Sequence, residues 1–254
     1  MLRLGAVPVD IVAGDKCANI MAVDGVVRSM PQRPDVIVLP ELFATSFIPD
    51  RHISASLAED NDGMIVTEIM NMASKYDAAF IGTFLAEGAD GRIYNRAFFV
   101  CPDGGKTFYD KRHVFSIGME GEVVSPGSSP IPVVGFRGWN VAMAVCYDLR
   151  FPCWLRNTGL KYDVLVIPAN WPSSRAYAWN HLLVARAIEN QAYVVGANRS
   201  GSDRFGDYSG CTSIYDYLGR SIGSVPEGGV VTADFDKDSL EKFRAGFPVW
   251  RDAD

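Results

Sequence analysis

The chain has 254 residues, 48% of them hydrophobic and 21% charged, an ordinary globular composition with enough length to bury a sizeable core. Its 30 acidic against 24 basic residues leave a net charge of −6, which argues against nucleic acid or an anionic membrane as the main partner. No apolar run approaches the ~20 residues that span a bilayer, and Met1-Leu2-Arg3-Leu4-Gly5 enters a strand-like segment without a signal-peptide core, so a cytoplasmic location is expected.

In chain order, hydropathy patterning predicts a strand over Leu2–Val7 and a helix over Lys16–Met30, where Ile20, Val23, Val26, Val27 and Met30 recur at helical spacing. A strand at Val36–Leu39, a helix at Met64–Tyr76 and a strand at Ala78–Phe84 follow. Tyr94–Cys101 and Lys106–Tyr109 flank Pro102-Asp103-Gly104-Gly105, a hairpin turn. Val141–Val145 and Val164–Ile167 are short, continuously apolar strands, as expected where a sheet is covered on both faces. A helix at Tyr177–Gln191 precedes strands at Tyr193–Asn198, Thr212–Tyr217 and Val230–Phe235, and Asp236 or Asp238 can cap a short helix running to Arg244. No linker-like tract interrupts the series, so residues 1–254 read as one domain of α/β or α+β class.

Three of these segments end on chemistry. Val36-Ile37-Val38-Leu39-Pro40 runs into Glu41, Lys106-Thr107-Phe108-Tyr109-Asp110 runs into Lys111, and the apolar run through Ala144-Val145 stops at Cys146. A side chain at the carboxyl end of a buried strand is held outward on a rigid element, and backbone N–H groups beyond it can face whatever it attacks. A carboxylate, an ammonium and a thiol in such places supply a base, an electrophilic helper and a nucleophile. Singly, each has a plainer reading as loop charge or buried thiol; their joint order and spacing carry the signal. Five cysteines without regular spacing read as reduced thiols, and Cys17, Cys101, Cys153 and Cys211 lack an acid or base at a comparable strand exit. Cys146, Cys153 and a histidine lack metal-ligand spacing, and His113 is the one attractive partner for a Cys–His alternative.

The three strings closely resemble those of the nitrilase superfamily of carbon–nitrogen hydrolases, recognised by a Glu–Lys–Cys triad. The likeness extends to Asn170-Trp171-Pro172 and Ala185-Arg186-Ala187-Ile188-Glu189-Asn190-Gln191. It implies an αββα sandwich of two mixed sheets flanked by helices, subunits paired through outer helices as a homodimer or larger assembly, and hydrolysis through a Cys146 thioester with no cofactor or metal. Members often carry a second glutamate between the lysine and the cysteine. Counting back from Pro126-Gly127, Glu120 has the spacing of ω-amidase-like members and Glu122 that of aliphatic amidases. Tyr109-Asp110-Lys111-Arg112-His113-Val114-Phe115 and Cys146-Tyr147-Asp148-Leu149-Arg150-Phe151-Pro152 look most like the bacterial ω-amidases, which cleave the terminal amide of 2-oxoglutaramate-type monoamides. Such a small-molecule substrate carries a remote carboxylate, for which Arg175 is the best-placed cation. Phe43, Tyr147 and Trp171 are expected to wall its aliphatic middle, and Arg150 to brace Asp148 or a neighbouring loop. An N-carbamoyl or aliphatic amidase, or a non-catalytic binding subunit, would share the fold.

Overall fold

The computed structural model describes residues 1–224 and 229–252. The first half of the chain folds as β1 (Leu2–Ala6), α1 (Lys16–Ser29), β2 (Val36–Val38), α2 (Arg51–Leu57), α3 (Met64–Tyr76), β3 (Ala79–Glu87), β4 (Ile93–Val100) and β5 (Lys106–Asp110). A short helix α4 (Glu120–Val123) leads to β6 (Val133–Phe136), β7 (Trp139–Met143), β8 (Val164–Ala169), α5 (Ala176–Asn190) and β9 (Tyr193–Asn198). A hairpin of β10 (Ser200–Asp203) and β11 (Gly206–Ser209) precedes β12 (Ser213–Tyr215), β13 (Val231–Phe235) and α6 (Lys237–Gly246).

One sheet has the order β13-β1-β2-β3-β4-β5, parallel through β1, β2 and β3 and antiparallel on both sides of them. The other has the order β12-β9-β8-β7-β6, with β7, β8 and β9 parallel and antiparallel edges. The period of two along each strand decides the layering. Val36 and Val38 share a core with Val141, Met143, Val164 and Val166 of the second sheet, whereas Ile37 packs with Ile20, Val23 and Val27 of α1 and Ile65, Ile69 and Met72 of α3. Trp179, Leu183 and Ala187 of α5 and Leu240 of α6 cover the second sheet. The result is the expected αββα sandwich. Asp236 caps α6, its carboxylate accepting from the Ser239 backbone N–H.

The predicted elements are present, some shifted by a few residues, and the structure adds α2, α4, β6 and the β10–β11 hairpin. These additions are short, polar or at an edge, so periodicity carried little signal for them. β6 alternates exposed and half-buried positions, and β10 reads Ser-Gly-Ser-Asp.

Candidate active site

β2, β5, β7 and β8 all run toward one rim of the sandwich, and the chain leaving each delivers one polar group there. Past β2, the turn carrying Glu41 is fixed by the Leu42 N–H donating to Thr83 Oγ1 at 2.7 Å. Past β5, Lys111 donates its N–H to the Asn95 carbonyl and accepts from the Gly127 N–H, at 2.9 and 2.8 Å. Gly127 is required at this crossing, because a Cβ there would lie 2.1 Å from the Asp110 carbonyl oxygen. Past β7, Cys146 turns out of the strand with φ +43°, a left-handed conformation that costs a non-glycine residue ~1–3 kcal/mol and persists only where surrounding contacts enforce it. Past β8, the backbone of Trp171 is clamped by the Asn198 side chain, which accepts at 2.7 Å and donates at 2.8 Å.

These exits converge. The Lys111 ammonium donates to Glu41 Oε1 at 2.8 Å and to both oxygens of Glu120 at 2.8 and 2.9 Å. Asn95 Nδ2 bridges the same carboxylates, 2.7 Å from Glu41 and 3.1 Å from Glu120. Glu41 Oε2 accepts from the Asn170 N–H at 2.9 Å, and Glu120 Oε2 from the Phe115 N–H at 2.6 Å. All of Glu41, Asn95, Lys111, Glu120 and Cys146 are buried. Burial by itself would lower the Lys111 ammonium, but the Glu120 and Glu41 charges outweigh it and hold it well above the ordinary range. Burial, then the Glu41 charge, pushes the Cys146 thiol well above its usual value against the opposing pull of Lys111. Burial and the neighbouring charges together favour the protonated form of the Cys146 thiol and the charged form of the Lys111 ammonium.

A cavity of about 300 Å³ opens over this cluster. Its lining includes Tyr147, Trp171 and Arg175. Phe43 is corrected: it is fully buried among the residues behind the first sheet, edge-on to Phe98 at 6.2 Å, because the turn after Glu41 sends Leu42 and not Phe43 to the cavity. Of the two partners expected for Arg150, Asp148 or a neighbouring loop, it meets the loop after β8. Asp148 is held by Tyr109, His113 and the Val145 N–H, while the Arg150 guanidinium lies 4.9 Å over the Trp171 ring and lines the cavity. Arg175 lies 5.0 Å over Phe115. Of the two candidate glutamates, Glu120 meets Lys111, whereas Glu122 is exposed on α4 and lines a separate surface cleft.

Several lining or supporting groups escaped the sequence reading. Asn95 shares the inward parity of Ala97 and Phe99 on β4, and a polar residue in phase with a buried face was the available signal. The β10–β11 hairpin brings Asp203, Phe205 and Tyr208 to the cavity. Asp203 is already engaged, pairing with the fully buried Arg199 at 3.0 Å and accepting from the Tyr208 hydroxyl at 3.1 Å. Phe47 reaches across to Phe205 with ring centroids 5.7 Å apart.

The carbon–nitrogen hydrolase profile matches residues 3–245. Omega-amidase YafV of Escherichia coli K12 is 38% identical over 94% of this chain and 92% of its own length. The 2-oxoglutaramate amidase of Bacillus subtilis is 30% identical over 96% of this chain and 94% of its own. Among solved structures, a CN-hydrolase superfamily protein of Xanthomonas campestris with an arsenic adduct in its active site is 34% identical, with a TM-score of 0.92 over 100% of this chain and 97% of that one. A full-length family match, a shared αββα sandwich and relatives that cleave amides agree on one conclusion: the chain belongs to the carbon–nitrogen hydrolase family and is an amide-cleaving hydrolase.

Proposed function

We propose that this enzyme is an ω-amidase, hydrolysing the terminal amide of small dicarboxylic monoamides of the 2-oxoglutaramate or succinamate type. The observation that carries the reading is the polarity of the cavity. Its floor holds two carboxylates sharing one ammonium, Glu41 and Glu120 on Lys111. Its walls hold the guanidiniums of Arg150 and Arg175, each laid over an aromatic ring, and among the described residues neither has a carboxylate partner. A substrate with a neutral amide at one end and a carboxylate at the other fits that gradient in one orientation. The similarity to omega-amidase YafV and to 2-oxoglutaramate amidase supports the same assignment.

In this mechanism Cys146 Sγ attacks the amide carbon while Glu41 takes the thiol proton, and the carbonyl π pair moves onto oxygen. Lys111 and the Tyr147 N–H stabilise that oxyanion, and such donors are commonly worth ~3–4 kcal/mol each. Glu120 and Asn95 hold Lys111 and Glu41 in register. As the C–N bond breaks, Glu41 returns its proton to the departing ammonia, leaving a thioester on Cys146. Water then adds with Glu41 as base, and collapse expels the sulfur, which recovers the proton. The surrounding organisation we propose is a single carbon–nitrogen hydrolase domain, located in the cytoplasm and working as a homodimer. The outward Tyr177 and Ile188 of α5, 78% and 52% exposed, are available apolar contacts for pairing.

Ammonia release from 2-oxoglutaramate, succinamate and butyramide tests the substrate assignment. The charged amides are expected to be preferred, and Arg175→Met to lower their kcat/KM by roughly 30- to 150-fold through KM while sparing butyramide. Equal rates on charged and neutral amides in the wild type would replace the ω-amidase reading with a general aliphatic amidase.

A further inference from the structure

The residues that the mechanism uses sit on two different sheets, so something must hold Lys111, at the exit of β5, in register with Cys146, at the exit of β7. Asp148 is placed to do so. Its side chain is fully buried and both oxygens are engaged. Oδ2 accepts from the Val145 N–H at 3.1 Å and from the Tyr109 hydroxyl at 2.9 Å. Oδ1 accepts from the His113 N–H at 2.9 Å and meets His113 Nδ1 at 2.7 Å. A carboxylate offers only acceptors there, so Nδ1 carries the proton. One carboxylate thus grips the residue before Cys146 and the chain two residues to either side of Lys111.

Both partners are themselves fixed. The Tyr109 hydroxyl accepts from Trp154 Nε1 at 2.9 Å and from the Arg112 N–H at 3.2 Å. The His113 ring stacks on Phe151 with centroids 3.6 Å apart and planes 9° from parallel. The Asp148 N–H also closes the turn onto the Val145 carbonyl at 2.9 Å. The bonds from the Asp148 backbone and side chain to Val145 constrain the turn that keeps Cys146 at φ +43°. We infer that Asp148, with His113 and Tyr109, is a positioning unit that clasps the lysine-bearing exit to the cysteine turn and keeps the sulfur in its attacking orientation. The inference rests on the reading of Cys146 as nucleophile. Its content is distinct: a buried group that touches no substrate sets turnover and thiol reactivity without setting affinity.

The test compares purified Asp148→Asn, His113→Leu and His113→Asn with wild type. The readouts are kcat and KM for succinamate, the rate of alkylation of Cys146 by iodoacetamide followed by peptide mass, and the melting temperature. In Asp148→Asn one acceptor becomes a donor facing donors, and His113→Leu removes one bond. Each is expected to lower kcat and the alkylation rate together by roughly 10- to 100-fold, with KM within about threefold. His113→Asn presents an N–H near the Nδ1 position and should recover most of the loss. If Asp148→Asn does not fold, the two His113 variants decide, and equal kcat for them would overturn the clasp. Folded variants that melt lower yet keep wild-type kcat and alkylation rate would also overturn it, leaving Asp148 a purely stabilising residue. Cys146→Ala separates the two layers: normal turnover by that variant would remove the nucleophile assignment itself, whereas a dead Cys146→Ala beside normal clasp variants removes only the clasp.

Discussion

Glu120→Gln, set against Glu122→Gln two residues along the same short helix, isolates the supporting carboxylate. Glu120 accepts from Lys111 with both oxygens at 2.8 and 2.9 Å, from the Phe115 N–H at 2.6 Å and from Asn95 at 3.1 Å. A glutamine keeps one carbonyl oxygen, and its NH2 must face the ammonium or another N–H, so one charge-assisted contact is lost outright. The freed ammonium turns toward Glu41, its remaining partner at 2.8 Å, and binds the base more tightly. A charge-assisted hydrogen bond is worth ~1.5–3 kcal/mol, which corresponds to roughly 10- to 150-fold in kcat/KM. Stability should not follow activity. Two buried carboxylates around one ammonium leave an uncompensated negative charge, and neutralising one of them relieves desolvation that offsets the lost contact. The melting temperature is therefore expected within about 3 °C of wild type, the shift that ~1 kcal/mol produces in a chain of this size. Glu122 is exposed, and its variant should match wild type in both measurements. Steady-state ammonia release and thermal melts on the three proteins decide the matter. A Glu120→Gln enzyme within threefold of wild type, or equal losses in both variants, would refute the reasoning.

Glu41→Gln and Lys111→Met are each expected to lose at least ~100-fold in kcat, and the double variant far less than the product of the two, because both act on one transition state; strict additivity would place one of them outside the reaction. The alkaline limb of stability carries a further signature. The thiol of Cys146 and the ammonium of Lys111 are both held above their ordinary values of 9.0 and 10.5, so above about pH 9 the native state binds more protons than the unfolded chain and stability falls as pH rises. Thermal melts between about pH 7 and 10.5 should show this decline, flattened near its onset in Cys146→Ala, and a wild-type melting temperature that held level or rose there would contradict the assignment.

Strand exits were legible in the sequence because buried strands of a doubly covered sheet are apolar without interruption, so the first polar residue after each run stands out. Glu41 and Cys146 each mark such an edge, whereas Lys111 follows the half-buried edge strand β5 with its Lys106, Thr107 and Asp110 and stood out only by order and spacing with the other two; the structure brings all three to one rim. Phe43 misled for a related reason. Leu42 and Phe43 are both apolar, and only the left-handed backbone at Leu42, φ +47°, decides which of the two side chains faces the cavity. Composition does not encode that turn. For Arg150 the sequence left Asp148 and a neighbouring loop both open, because proximity along the chain says nothing about direction around a tight turn; the guanidinium lies over Trp171 in the loop after β8, and Asp148 meets donors 35 and 39 residues away in His113 and Tyr109.

What remained invisible was contributed by polar residues whose partners come from other elements. Asn95 is an unremarkable strand residue until β4 places it between two carboxylates that are 54 and 25 residues distant. Asp203 and Tyr208 belong to a hairpin of serines, glycines and aspartates with no apolar period, anchored through Arg199 to Ser46 and to the Ile11 carbonyl. Apolar patterning reports how a chain buries its strands, and therefore where strands end. The direction of the groups between those ends is set by hydrogen bonds across the sandwich, which leave no period to read. The chemistry of this enzyme was accessible from its sequence to the extent that it lies on strand exits, and its proposed specificity, which rests on Arg150, Arg175 and the hairpin wall, was accessible only where one of those residues happened to follow a strand closely.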